Sequence, residues 1–386
     1  MPPDEPARGE LTLLIGVIVA VAVTSGSHDA GDDVASNSCR DPGRLAQLTR
    51  HHPATRLVDS AVVAGSRLRR TEIFDTYWHF TAERHRVYQA RLRGDAPPWT
   101  TDPIMASHRF TNCYRAADRV SQYLIGEVIY HGDQHPDEVL FRILLFRFFN
   151  RIATWELLCS ALGELRWASF QLNRYDDVLT AAASAGERIY SAAYLIPPPR
   201  LGAPCKHTNQ LLLLQQMMRG GMRHKLETAA SMADVFYLLR SHPGLGNFLA
   251  YQLIIDINYS TLINFDEMDF VVAGPGARDG ICKCFGREAH GLEAEIIRYM
   301  SDTQEEHFAR LGLSFSGLNG RRLQLIDCQN LFCEVDKYAR LAHPEIAGYS
   351  GRTRIKQRFA PSDHTLTSWF PPKWSLNGLT PARAAR

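Results

Sequence analysis

The chain has 386 residues, 45% of them hydrophobic and 22% charged, a globular balance that excludes a wholly disordered or fibrous protein. Lys and Arg number 43 against 41 Asp and Glu, for a net charge of +2. A histone-like polycation is therefore excluded, and any nucleic-acid contact has to come from cations gathered locally.

Residues 1–70 are expected to form a mostly disordered leader rich in Gly, Ser, Asp and Pro. Within it, Leu11–Val23 (LTLLIGVIVAVAV) is continuously apolar. The run falls short of the ~20 residues that span a bilayer. Asp4, Glu5, Arg8 and Glu10 precede it where a signal peptide would carry a positive region. No membrane partner is expected. The eight cysteines lack the spacing of a small disulfide scaffold, which favours reduced thiols and a cytoplasmic or nuclear location.

A helical domain is expected over residues 71–359, making the fold mainly α. Thr71–Leu92 carries Phe74, Tyr77, Trp78 and Phe80 and reads as a helix, followed by a Pro-rich loop at Gly94–Pro103. Thr111–Tyr130 reads as one helix capped by Thr111 or Asn112, with Arg115, Asp118, Arg119 and Gln122 on one face. After a break at HGDQHPD, Val139–Leu158 reads as a second, apolar on most sides and so buried on most sides. Helical segments follow at Tyr175–Ala185, Thr208–Met218 and Ser231–Leu239, with a rigid loop at Pro197–Pro204. Residues 360–386 read as an irregular tail.

Three features carry chemistry. Phe236–Asn258 reads helix, Pro243-Gly244-Leu245-Gly246, helix, similar to the helix-hairpin-helix of DNA glycosylases. In that element Gly244, Gly246 and Asn247 let main-chain amides approach a phosphate; an ordinary αα-corner is the alternative. Asp266 and Asp269 follow at a distance matching the catalytic Asp of those enzymes. Gly274-Pro275-Gly276 reads as a tight turn, with Arg278 and Lys283 near the helix start after it. Second, Arg352, Arg354, Lys356 and Arg358 alternate, so an extended chain would show all four on one face as a phosphate-tracking strip. Third, Arg115, Arg119, Gln122, Asn150, Arg151 and Trp155 could line a base or pyrophosphate pocket, although buried Arg more often forms a structural ion pair. Cys282, Cys284, Cys328 and Cys333 lack zinc spacing, and the sequence holds no HExxH, G-x-S-x-G or Walker A motif. No metal or other cofactor is expected.

RFTNCYRAADRVSQYLI (Arg109–Ile125), LLFRFFNRIATWELL (Leu144–Leu158), HPGLGNFLAYQLIIDINYS (His242–Ser260), DFVVAGPGARDGICKCF (Asp269–Phe285), QNLFCEVDKYAR (Gln329–Arg340) and GRTRIKQRF (Gly351–Phe359) resemble, in order, the α-glutamyl/putrescinyl-thymine pyrophosphorylase family. The same module is named as the helical domain associated with 5-hydroxymethyl-deoxyuridine DNA kinases. The resemblance spans about Met105 to Phe359. It implies a glycosylase-like helical fold acting on DNA with hypermodified thymine, where an amino acid or polyamine displaces pyrophosphate from the base. It also implies a separate 5-hydroxymethyluracil kinase to supply the pyrophosphorylated base. Asp269 matches by motif. The alternatives are a glycosylase for a modified pyrimidine and a non-catalytic DNA-binding module.

Overall fold

Two short antiparallel strands, β1 (Ser60–Val63) and β2 (Ser66–Arg69), pair with Ser60 opposite Arg69. Ala64 and Gly65, both at positive φ, make the two-residue connection that matches strand twist. Ala61, Val63 and Leu68 are buried, so residues 60–69, read from sequence as part of the leader, already belong to the fold. The computed structural model describes residues 60–191, 197–360, 366 and 368–379, so the apolar run at 11–23 lies outside the described residues.

The rest is mainly helical, as the sequence suggests. Helix α1 (Glu72–Arg93) starts where Thr71 accepts from the Ile73 amide and ends at left-handed Gly94. Phe74, Tyr77, Trp78 and Phe80 all enter the core. A short α2 (Pro103–Ser107), capped by Asp102, closes the following loop. The single helix expected over Thr111–Tyr130 is absent. Its place is taken by a 3-10 turn (Arg115–Ala117), the short α3 (Arg119–Tyr123) and a π-helical segment (Leu124–Ile129). Asn112 explains the failed cap: its amide donates to Ala117 O, and its backbone N–H donates to Asp118, which holds the chain in a loop. Val139–Leu158 likewise divides into α4 (Pro136–Phe149) and α5 (Ile152–Leu162), because Asn150 adopts a left-handed conformation. Helix α4 is the centre of the bundle, buried nearly all round.

Helices α6 (Leu172–Ser184), α7 (Lys206–Arg219), α8 (Met222–Glu227), α9 (Met232–Arg240) and α10 (Asn247–Asn258) follow. Next come α11 (Pro275–Phe285), α12 (Glu293–Asp302), α13 (Gln304–Arg310) and α14 (Leu325–Ala342). Helix α11 packs on α14 more closely than any other helix pair among the described residues. Gly274-Pro275-Gly276 is the start of α11, with Pro at the first turn, rather than a tight turn. Gly276 and Gly280 then face α14: a Cβ at Gly280 would sit 2.1 Å from the Phe332 carbonyl oxygen, and one at Gly276 3.0 Å from Cys333 Sγ. Removing a helical glycine gains up to ~1 kcal/mol intrinsically. Overpacking against backbone costs about 1–3 kcal/mol or more. Gly280→Ala is therefore expected to lower the urea midpoint clearly, and Gly276→Ala to leave it nearly unchanged, since a side chain can yield.

The tail is irregular but packed. Phe370 is fully buried, Ser368 Oγ meets Tyr88 OH at 2.6 Å, and the Trp369 amide donates to Gln122 Oε1 at 2.7 Å. Lys373 Nζ donates to the carbonyls of Ser260 and Ile263 at 3.1 and 3.0 Å, just beyond α10. Burial of that end pulls the Lys373 ammonium down to about 8.

Candidate nucleic-acid interface and active site

Helices α9 and α10 pack against each other through the turn Ser241–Gly246. Gly244 has φ 84°, which a β-carbon would strain, and buried Leu245 pins the turn from beneath. No side chain caps α10, which starts at Gly246, or α11, which starts at Gly274. Thr71, Asp102 and Ser231 cap α1, α2 and α9, while α3, α5, α6, α7, α8, α12 and α13 also start without a side-chain cap. The two helix starts are neighbours: the Phe248 ring fills the place a side chain at Gly274 would need, 2.5 Å from an added Cβ. The Asn247 amide opens the first turn of α10, whereas at α11 Pro275 has no N–H and the Ala277 amide is bonded to Cys333.

Between these helices runs the loop that carries the acids. Phe270 packs against Phe236 of α9 and Tyr251 of α10, with ring centroids 5.0 and 6.1 Å apart. Asn258 clips the loop by accepting from the Phe265 amide and donating to the Phe265 carbonyl, both at 3.0 Å. Asp266 accepts from the Met268 amide at 2.9 Å, so its side chain shapes the turn. Arg298 donates to the carbonyls of Met268 and Asp269. The Asp269 carboxylate is exposed, and no hydrogen bond or ion pair within the described residues engages it. The geometry thus separates two acids that spacing alone left open: Asp266 holds the loop and Asp269 is presented by it.

Glu267 lies between them and was missed, because nothing in the sequence distinguishes it from its neighbours. It is buried, pairs with Arg321 at 3.0 Å, and leaves Oε1 without a hydrogen-bond partner. Burial raises its pKa, with Arg321 opposing. Trp374 of the tail covers that guanidinium, 4.1 Å from ring centroid to carbon.

The cations divide. Arg278 is exposed in the first turn of α11, as expected. Lys283 corrects the expectation: it lies in the last turn of α11, 2% exposed, paired with Asp336 at 3.0 Å. Arg352, Arg354, Lys356 and Arg358 are all exposed on an extended segment, joined to the fold by a bridge from Arg358 to His108. Its leading end is fastened to α11, where Asp279 accepts from the Ser350 amide at 2.9 Å and from the Ser350 hydroxyl. The strip therefore sets out from α11, which adjoins the start of α10.

The pocket expected from the two early helices does not assemble. Arg115 is 2% exposed and donates to Gln252 and Asp256, both at 2.8 Å, reaching α10 from its buried side. Arg147 meets the same carboxylate at 2.5 Å and donates to Asn150 Oδ1 at 2.6 Å. Gln122 is spent on Ala116 O and the tail. Arg151 and Trp155 border a narrow apolar crevice with Leu145, Phe146 and Phe149. Arg119 is exposed at the start of α3. Asp327 accepts from the Arg115 and Gln324 amides, and burial pushes its pKa up to about 7. Arg115, Arg147 and Asp327 build the core, as unpaired buried charge would be too costly.

Other sites are sparse. Glu72, His343 and Glu345 bring three donor atoms within 4.8 Å of one another at the surface, where they clasp α1 to the end of α14. No helix among the described residues is long and apolar enough to cross a membrane.

The family described as "5-hmdU DNA kinase, helical domain" matches residues 71–348. A 5-hmdU DNA kinase of Bacillus phage SP10 is 26% identical over 292 residues, covering 69% of this chain. The match takes in 45% of that relative, so the chain spans about half of its length. No solved structure matches.

Proposed function

The chain belongs to the family of 5-hmdU DNA kinase helical domains, and on that premise we propose that it modifies a thymine-derived base in DNA, displacing pyrophosphate from the 5-methylene carbon with an amine. One observation carries this reading: the exposed Asp269 stands on a loop wedged between the starts of α10 and α11, through Phe270 and the Phe248–Gly274 contact. The hairpin amides around Gly244, Gly246 and Asn247 grip a strand phosphate, and the base leaves the stack to be reached. The C–O bond to pyrophosphate breaks with its electron pair on the leaving group, and a C–N bond forms. Asp269 takes the proton that the amine sheds, and Arg278 faces the departing charge. The pyrophosphorylated base comes from a separate kinase activity, and the amine is an amino acid or polyamine.

The test is mass spectrometry of nucleosides from DNA bearing 5-(pyrophosphoryloxymethyl)uracil, incubated with the protein and candidate amines. An amine-adduct nucleoside and one equivalent of pyrophosphate are expected. Free base with an abasic sugar would mark a glycosylase instead. Unchanged nucleosides from DNA that is nevertheless bound would mark a binding module.

The exposed strip adds a second expected result. Replacing Arg352, Arg354, Lys356 and Arg358 with Gln weakens binding to all sequences alike. It also reduces the slope of log K against log salt by ~0.9 for each duplex phosphate that the strip no longer neutralises. An unaltered slope in a salt titration removes the strip from the interface.

A further inference from the structure

An open groove of about 620 Å³ lies beside the hairpin turn, lined by Phe236, Tyr237, Arg240, Ser241, Asn247, Phe270 and Val272. Its volume falls in the ~300–1,000 Å³ range of small-ligand sites and exceeds what one pyrimidine ring fills. Its floor is aromatic: Phe236 and Phe270 meet tilted, with centroids 5.0 Å apart, and Tyr237 stands edge-on to Phe236 at 5.3 Å. Tyr237 is 66% exposed, the most exposed aromatic ring among the described residues. So large an apolar surface left in water beside a groove marks a contact surface. Arg240 and Asn247 are exposed on the rim, and neither side chain is engaged elsewhere among the described residues.

We infer that this groove holds an unstacked nucleobase of the strand gripped by the hairpin, with Tyr237 as its stacking face. This rests on the reading above that the hairpin grips DNA, and it names where a base of that strand goes. The chemistry selects a base over an apolar peptide. The wall is a flat ring, the rim offers one guanidinium and one carboxamide for a polar ring edge or a flanking phosphate, and Asn247 belongs both to the groove and to the first turn of α10. A phosphate at that helix start and a base against Tyr237 are thereby one nucleotide's two ends.

The experiment uses the full chain and a single-stranded oligonucleotide carrying 2-aminopurine, with affinity and fluorescence read together. Tyr237→Ala is expected to weaken binding roughly 5- to 100-fold and to abolish quenching of the probe, while Tyr237→Phe retains both. Wild-type affinity and quenching in Tyr237→Ala overturn the groove assignment. If Gly246→Pro, which changes only the hairpin turn, still weakens binding in that case, the hairpin reading stands without it. A Tyr237→Ala change that only turns a dimer into a monomer in sedimentation, with DNA affinity intact, also overturns it. Wild-type protein that binds no oligonucleotide overturns both readings.

Discussion

Asp256→Asn is expected to destabilise the domain by about 3–5 kcal/mol, the usual cost of removing one partner from a buried ion pair. Asp256 is fully buried and takes Arg115 on one oxygen at 2.8 Å and Arg147 on the other at 2.5 Å. The amide keeps the volume but leaves two guanidiniums, each under 5% exposed, without their shared counter-charge. Against a total of ~5–15 kcal/mol for a typical protein, that is a large fraction. A control at the exposed Glu83–Arg86 pair, Arg86→Ala, should cost under ~1 kcal/mol. The measurement is urea unfolding followed by circular dichroism. The outcome decides between structure and function for Arg115 and Asn150. A variant as stable as wild type would free these residues for a pocket, and a collapse of stability assigns them to the bundle.

Much of the helical framework was legible because local signals and burial agree there. Thr71 opens α1 by its side chain, and the aromatic stripe behind it is buried as its spacing implies. Ser231 starts α9, and the glycines of the turn separate α9 from α10. Where the reading failed, a tertiary contact overrode the period. Arg115, Asp118, Arg119 and Gln122 recur at helical spacing. Yet Arg115 turns inward to α10, Asp118 closes on the Asn112 amide, and Gln122 is taken by the tail. Val139–Leu158 is apolar on most sides, so its periodicity is silent about a break that one left-handed Asn150 makes.

The start of α11 failed for another reason. Gly-Pro-Gly suits both a turn and a helix N-terminus, and only the small residues at 276 and 280, four apart, hint at a helix laid against another. The tail's Trp369, Phe370 and Trp374 were a usable sign that it packs, hidden by its Pro and Ser content. At the candidate site spacing alone offered Asp266 or Asp269, and only the family motif favoured Asp269. The backbone supplies a physical reason: the Asp266 carboxylate is occupied by the Met268 amide, Glu267 points inward to Arg321, and Asp269 alone of the three faces outward unengaged.

That ranking fixes the second large effect. Asp269→Asn should lower the rate of amine-for-pyrophosphate exchange by about 10²–10⁴-fold, the range supplied by a positioned general base. Stability should hold, because the side chain is exposed and carries no fold contact. DNA affinity should hold too, since the hairpin amides and the strip are untouched. Asp266→Asn is expected to act differently. The amide oxygen can still accept from Met268, so activity falls little, while Asp266→Ala loosens the loop and lowers activity together with the melting midpoint. Single-turnover pyrophosphate release at saturating DNA separates chemistry from binding in all three variants. Full turnover by Asp269→Asn would remove this carboxylate from the reaction. The buried Glu267 would then be the next acid to test, through Glu267→Gln paired with Arg321→Met so that neither variant leaves an uncompensated buried charge.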